Sequence, residues 1–97
     1  MRVRKTSQAD YGITSAIKYL REHNPDAARA FCLALESTLQ RIAQFPEWFP
    51  LQRRSKRPEL VDVRFAVVRR FGYLIFYRIE RETVVILRVI HGSRNEP

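Results

Sequence analysis

Residues 61–93 read VDVRFAVVRRFGYLIFYRIERETVVILRVIHGS, and this stretch decides the fold of the chain. Three runs rich in Val, Ile, Phe and Tyr are separated by two breaks, Arg70–Gly72 and Glu80–Thr83. Branched and aromatic side chains favour strands, and connections this short allow only antiparallel neighbours. The stretch therefore predicts a three-stranded meander with strands at Val61–Arg69, Tyr73–Ile79 and Val84–Ile90.

Alternation along each strand assigns its side chains to two faces. The apolar sets that share a face are Val61, Val63, Phe65 and Val67 in the first strand, and Val85, Leu87 and Val89 in the third. The middle strand is apolar on both sides, which predicts a central position in the sheet. One face of the sheet then needs a covering layer, and the other face is predicted to carry a row of arginines, Arg64, Arg78 and Arg88.

The first half of the chain predicts an edge strand and a helical hairpin. Residues Met1–Thr6 alternate, and their cationic side chains are a usual protection of a sheet edge. A helix is predicted next, with Ser7 as its N-cap and with Gly12 as a cost of about 1 kcal/mol relative to alanine. Asn24-Pro25 signals the start of a second helix and Phe45-Pro46 its end. The apolar stripe of this hairpin is the natural cover for the sheet.

The segment from Glu47 to Leu60 contains two prolines and no clear period, which predicts a loop or a short extra turn. Trp48 and Phe49 in this segment are predicted to plug the hairpin onto the sheet. A binding role for an exposed Trp48 is the alternative.

Composition indicates one domain, residues 1–97, with an anionic partner. The 97 residues carry a formal net charge of +8 and a pI near 10.6. A surplus of this size favours nucleic acid, a ribonucleoprotein or an acidic protein as partner, and a generally basic surface without a partner is the alternative. The surplus is concentrated in a basic run, Arg53, Arg54, Lys56 and Arg57.

Other features exclude several classes of protein. The single Cys32 cannot form an internal disulfide, which indicates a reducing compartment, and its spacing predicts a small buried hydrophobe. No apolar run approaches the roughly 20 residues of a membrane span, and no signal peptide follows Met1, so we expect a cytoplasmic protein without a membrane partner. His23 and His91 lie far apart in the sequence, and neither a metal site nor a cofactor is expected.

The order of strand, helical hairpin, basic loop and meander resembles the RelE/ParE superfamily of bacterial toxins, and is more similar to its ParE branch. The landmarks are Asn24-Pro25 with Ala27-Ala28, Leu39 with Ile42-Ala43 and Pro46, Val63-Arg64-Phe65, Tyr73 to Arg78, and the tail His91-Gly92-Ser93-Arg94. The resemblance implies an α+β fold of order β-α-α-β-β-β, a helical hairpin packed on a small antiparallel sheet.

The resemblance also implies the toxin of a type II toxin–antitoxin pair, neutralised by a small acidic antitoxin in a hetero-oligomer. ParE-like members poison DNA gyrase, and RelE-like members cleave mRNA in the ribosomal A site. We favour a ParE-like toxin without chemistry of its own, which causes growth arrest through gyrase. The alternatives are a RelE-like endonuclease on the ribosome and a non-toxic relative that only binds an antitoxin or nucleic acid.

RNA cleavage through the 2′-hydroxyl needs a base, a cation beside the phosphate and an acid. By resemblance a RelE-like site would use Arg64, His91 and Arg94. The same three residues, with Arg70 and Arg78, are the predicted contacts for the target or its phosphates. For His91 the alternative is a hydrogen bond to the turn at Gly92, and for Arg64 it is a solvated or ion-paired strand residue.

The antitoxin is expected to present an acidic amphipathic segment, which would lie on the helix surface or on a sheet edge. Its charge would be attracted by the basic run, Arg53, Arg54, Lys56 and Arg57.

Overall fold

The computed structural model describes residues 1–53 and 57–93. In chain order the elements are β1 (Arg2–Lys5), α1 (Ser7–His23), α2 (Pro25–Gln44), a 3-10 turn (Pro58–Leu60), β2 (Arg64–Val68), β3 (Tyr73–Glu80) and β4 (Thr83–His91). The α+β order β-α-α-β-β-β predicted from the sequence is confirmed.

The four strands form one sheet in the order β1-β4-β3-β2. The last three strands are antiparallel neighbours, as predicted, whereas β1 pairs with β4 in parallel. The sheet is therefore mixed rather than wholly antiparallel. The helical pair is the reason, because it forms the long crossover that a parallel connection needs.

The helix starts show one error and one success of the sequence prediction. The N-cap of α1 is Thr6 rather than Ser7, and its Oγ1 accepts from Ala9 N at 3.1 Å. The same hydroxyl donates to Leu87 O at 2.8 Å, so the cap also ties α1 to β4. At the start of α2, Asn24 Oδ1 accepts from two backbone N–H groups, as predicted.

Strand β2 begins three residues later than predicted and buries the opposite face. The 3-10 turn precedes it, and Val61 is 70% exposed. The residues of β2 that are buried are Ala66 and Val68, which pair with Ile75 and Tyr73 on the core face of β3. The predicted apolar face was wrong because alternation was counted through residues that lie outside the strand.

A β-bulge interrupts β4 and reverses its alternation. Phe76 pairs with Arg88, but the next residue, Tyr77, pairs with Ile86, so that Leu87 is an extra residue in β4. Val85 and Val89 therefore point to opposite faces, and their predicted common face was wrong. A bulge changes the facing of every residue beyond it, and period-two counting cannot show this.

The two helices cover one face of the sheet and leave the other face open. Phe31 of α2 is fully buried, with its ring 5.5 Å from that of Phe71 and 5.0 Å from that of Tyr73. Helix α1 approaches the sheet closely at Gly12, where a Cβ would lie 2.2 Å from Val89 O. Gly12 is therefore a packing requirement rather than a simple cost in helix propensity.

Two further observations concern the surface of the helices. Cys32 is exposed, so its predicted burial was wrong: it lies beside α1, in a shallow pocket that Ile17 and Ala28 also line. Of the helices in the described part of the chain, none is long and apolar enough to cross a membrane.

Candidate functional site

The sheet register separates the predicted catalytic residues. Arg64 pairs with Tyr77 and His91 pairs with Tyr73, four residues away along β3. At about 3.3 Å per residue this distance is roughly 13 Å along the sheet. The two residues therefore start from backbone positions well separated along the sheet.

Arg64 holds the turn that follows α2. Its Nη1 donates to Phe49 O at 2.7 Å and to Glu47 O at 3.2 Å. The predicted position of Arg64 in the row on the open face was wrong, because it shares the helix-covered side with Ala66 and Val68. Its guanidinium is thus committed to backbone carbonyls within the chain.

Tyr77 supports the same turn from below. It is fully buried, and its hydroxyl donates to Pro46 O at 2.6 Å. Burial raises the pKa of Tyr77 to about 12, and the nearby charge of Arg64 opposes part of this increase. The phenol therefore stays neutral and keeps its hydrogen bond throughout the physiological range.

The raised pKa predicts a loss of stability at high pH. An unfolded tyrosine releases its proton near pH 10, whereas folded Tyr77 keeps it to about 12. Between these values the unfolded state binds fewer protons, so the free energy of unfolding falls as pH rises. Urea unfolding from pH 9 to 12 should show a flatter decline for Tyr77→Phe than for the wild type. A difference between the two proteins that stays constant to pH 12 would contradict the raised pKa.

The turn presents two aromatic side chains to solvent. Phe45 and Trp48 stack with ring centroids 4.2 Å apart and an interplanar angle of 15°. Trp48 is 78% exposed, so its predicted role as a plug was wrong, whereas Phe49 does pack against the core. The alternative prediction, an exposed Trp48, matches its position. Because its ring stacks on Phe45 and faces solvent, Trp48 is a candidate contact for another protein.

Arg78 fixes a different segment. Its Nε donates to Asp62 Oδ1 at 3.0 Å and its Nη2 donates to Glu59 O. These bonds attach the 3-10 turn and the start of β2 to the sheet. The sequence analysis did not predict this ion pair. The available signal was Asp62, an acid in the predicted strand that neighbours the strand of Arg78.

His91 and Arg70 lie at the other end, around the turn between β2 and β3. The His91 ring meets Tyr73 edge-on at 5.0 Å, and its Nδ1 accepts from Ser93 N at 3.3 Å. The backbone of Gly72 has φ +71°, and a Cβ there would lie 3.2 Å from His91 Nε2. Arg70 lies over the Phe71 ring at 5.8 Å. This end therefore carries a partly buried imidazole, His91, and an exposed arginine, Arg70.

The remaining predicted contacts are only partly described. Arg94, Arg54 and Lys56 lie outside the described residues. Arg53 and Arg57 are exposed, and Arg57 Nε is 3.9 Å from Glu59 Oε1.

The open face of the sheet carries both apolar side chains and arginines. Phe65 and Phe76 face each other across β2 and β3, with centroids 6.2 Å apart. Arg78 and Arg88 lie on this face as predicted, and Arg4 of the opposite edge strand, β1, lies on it too. The face can bind a partner through apolar contact and charge.

A metal site was not expected from the sequence. Among the described residues, no group of three or more His, Cys, Asp or Glu side chains could hold a metal ion.

Two solved structures share this architecture. The chromosomal ParDE TA system from P. aeruginosa has a TM-score of 0.76 at 17% identity, over 94% of this chain and 95% of that chain. YafQ from E. coli strain BL21(DE3) has a TM-score of 0.59 at 11% identity, over 96% of both chains. These likenesses show that the chain shares the fold of both proteins.

The sequence identifies the family of the chain. Residues 3–96 match the family described as ParE toxin of type II toxin-antitoxin system, parDE. The chain belongs to this family, and membership implies an antitoxin as partner. No curated protein matches the sequence significantly.

Proposed function

We propose that the chain is a ParE-type toxin that arrests growth by binding DNA gyrase in the cytoplasm, without catalysing a reaction itself. Family membership supports the toxin assignment. The proposal that the toxin catalyses no reaction is supported by the separation of Arg64 from His91, which is roughly 13 Å along the sheet. General acid–base catalysis needs its groups within hydrogen-bond reach of one reacting centre.

The hydrogen bonds of Arg64 and Arg78 give further support for a toxin without chemistry of its own. Arg64 is bonded to the Glu47 and Phe49 carbonyls, and Arg78 to Asp62 and the Glu59 carbonyl. These bonds hold both guanidiniums against the chain, so a phosphate would have to compete with them for the same side chains. Arg70, His91 and Arg94 are the other candidate contacts with gyrase or its DNA.

Exposed Trp48 suits the gyrase-binding role better than an RNase role. A stacked, rigid indole supplies apolar contact area with little loss of conformational entropy, which is typical of protein–protein hot spots. Half-buried Arg64 and buried Tyr77 hold the backbone of this turn in place by hydrogen bonds to its carbonyls. We propose the Phe45–Trp48 pair as a contact with the gyrase protein.

For neutralisation we propose a cognate antitoxin of acidic character, bound in a toxin–antitoxin hetero-oligomer. The net charge of +8 favours rapid association with such a partner, and this attraction weakens with salt. The basic run contributes Arg53 and Arg57 on the exposed surface near the β2 edge. Arg54 and Lys56 complete it in the sequence.

One bacterial culture can separate the three functions. The toxin is expressed from a controlled promoter, and plasmid DNA and translated mRNA are taken from the same cells. We expect growth arrest, plasmid broken or relaxed, and no mRNA ends at codon boundaries by primer extension. A-site cuts with intact plasmid would identify an endonuclease instead. Normal growth with soluble protein present would favour the non-toxic relative.

A further inference from the structure

A groove opens between α1 and β4, beside the part of β4 that β1 does not cover. Strand β1 pairs with β4 only as far as Lys5 and Ile86, whereas β4 continues to His91. At that point Thr6 bonds to the carbonyls of Ile86 and Leu87, and the chain then turns away into α1. The short β1 therefore leaves the last residues of β4 beside a helix instead of a neighbouring strand.

The groove has a volume of about 590 Å³, which lies within the range of small-molecule sites. Gly12 and Val89 form its floor, because the helix touches the strand there: a Cβ on Gly12 would lie 2.2 Å from Val89 O. Hydroxyl, amide, phenol and guanidinium groups line its walls, contributed by Ser7, Gln8, Tyr11, Ser15 and Arg88. Of the described residues that line the groove, only Arg88 is charged, so an anionic group is favoured there.

Three of these side chains follow one another along one side of α1. Ser7, Tyr11 and Ser15 are spaced four residues apart, so each lies about one turn beyond the last, and the set spans roughly 12 Å of helix. All three are exposed. Within the described part of the chain, their hydroxyls and the Gln8 amide have no hydrogen-bond partner. A ligand in the groove can therefore use these groups without breaking bonds of the fold.

Tyr11 and Arg88 indicate the chemistry of the ligand. Tyr11 is 75% exposed although it lines a concave surface, so its ring is open to a planar group. Aromatic side chains stack on nucleobases, and every base has a face for this contact. The guanidinium of Arg88 offers a fork of N–H donors that matches the oxygens of a phosphate. Serine hydroxyls and the Gln8 amide suit the hydroxyls of a sugar.

We propose that this groove binds a nucleoside phosphate, with the base stacked on Tyr11, the phosphate on Arg88 and the sugar against Gln8 and Ser15. The inference goes beyond the proposed function, because the site needs neither gyrase nor an antitoxin. A free nucleotide and a nucleotide within a single strand carry the same groups, and the experiment distinguishes these two sources.

Other classes of ligand use this groove less completely. An apolar ligand would bury the serine hydroxyls and the Gln8 amide without partners, which costs free energy. A neutral sugar would make no use of the charge of Arg88. Inorganic phosphate would use Arg88 but not the ring of Tyr11. A nucleoside phosphate combines the three kinds of contact that the lining offers.

The test is an NMR titration of the whole chain with AMP, adenosine, inorganic phosphate and a short oligodeoxyadenylate. AMP should shift the amide signals of Gln8, Gly12 and Ser15. We expect adenosine to bind about tenfold more weakly than AMP because it lacks the phosphate, and inorganic phosphate to bind more weakly still because it lacks the base. An oligonucleotide that shifts the same amides at about tenfold lower concentration than AMP would assign the site to a strand. Binding of the oligonucleotide no tighter than that of AMP would assign it to a free nucleotide.

Variants separate the contact with the base from the contact with the phosphate. Tyr11→Ala should weaken the binding of both AMP and adenosine about tenfold, whereas Tyr11→Phe should keep both affinities because the ring remains. Arg88→Gln should reduce the affinity for AMP to that for adenosine and leave adenosine binding unchanged. Tyr19→Ala is the matched control for the loss of an aromatic ring. Tyr19 is 43% exposed on the same helix outside the lining of the groove, so its replacement should leave AMP binding unchanged.

Three results would overturn the proposal. Amide signals of the groove that do not shift with about 10 mM AMP would exclude a nucleotide site, since even a millimolar dissociation constant gives a populated complex at that concentration. Equal binding of AMP by Tyr11→Ala and the wild type would remove the stacked base. Inorganic phosphate that binds as tightly as AMP would reduce the groove to an anion site. Each of these results leaves the action on gyrase to its own assay.

Discussion

Replacing Gly12 by alanine is expected to destabilise the protein by about 3 kcal/mol, although alanine is the better helix former by about 1 kcal/mol. The new Cβ would lie 2.2 Å from Val89 O, a contact with backbone that no side-chain rotation relieves. Helix α1 must move away from β4, and it carries buried Ala9 and Ala16 with it. Urea unfolding followed by circular dichroism measures the change in free energy.

Thr14→Ala is the control for this prediction. Thr14 is exposed on the same helix, two residues further along, so its replacement tests helix propensity without the contact. We expect it to change the free energy of unfolding by less than about 0.5 kcal/mol. If Gly12→Ala proved as stable as the wild type, α1 would not approach the sheet as closely as described.

Replacing Arg64 by alanine should destabilise the protein by about 2 kcal/mol, because the change removes two hydrogen bonds from a charged donor. The turn that carries Trp48 should loosen at the same time. Trp48 is the single tryptophan of the chain, so its fluorescence anisotropy reports on this turn alone. We expect that anisotropy to decrease in Arg64→Ala under conditions where the protein remains folded.

Arg69→Ala controls for the loss of one positive charge. Arg69 is exposed in the turn after β2, and its removal should leave both the stability and the Trp48 anisotropy close to their wild-type values. If Arg64→Ala kept its stability and its Trp48 anisotropy but lost activity on the target, Arg64 would be a target contact rather than the support of the turn.

Local signals in the sequence predicted the helical hairpin and the meander well. Asn24-Pro25 and Phe45-Pro46 marked both ends of α2, because capping and proline geometry act on neighbouring residues. The runs of branched and aromatic residues likewise located β3 and β4. Each of these features depends on a few residues that are neighbours in the sequence, so a single sequence is enough to predict them.

The errors arose where distant residues decide the outcome. The late start of β2 depends on the 3-10 turn attached by Arg78, and the alternation of β4 depends on a bulge. Gly12 was interpreted as a cost because its contact with Val89 is 77 positions away in the sequence. Each of these features is a tertiary contact that a local pattern does not encode.

In the candidate site, too, the errors of the sequence analysis concern tertiary contacts. Arginines at 64 and 78 were expected together on an open surface, but β2 turns Arg64 toward the backbone of the 45–49 turn. Burial of Tyr77 and exposure of Trp48 follow from how that turn closes over the sheet. An aromatic residue after a helix ends can plug a core or face solvent, and sequence spacing alone does not distinguish these positions.

The most direct measurement of the central claim is a supercoiling assay with purified gyrase, relaxed plasmid, ATP and increasing amounts of the purified toxin. We predict that supercoiling stops and that denaturing the enzyme releases cleaved plasmid, with no cleavage when gyrase is omitted. Trp48→Ala should need a higher concentration for the same effect, because it removes a proposed contact without touching the core. Full supercoiling at saturating toxin, with no cleaved plasmid, would contradict a gyrase-directed toxin.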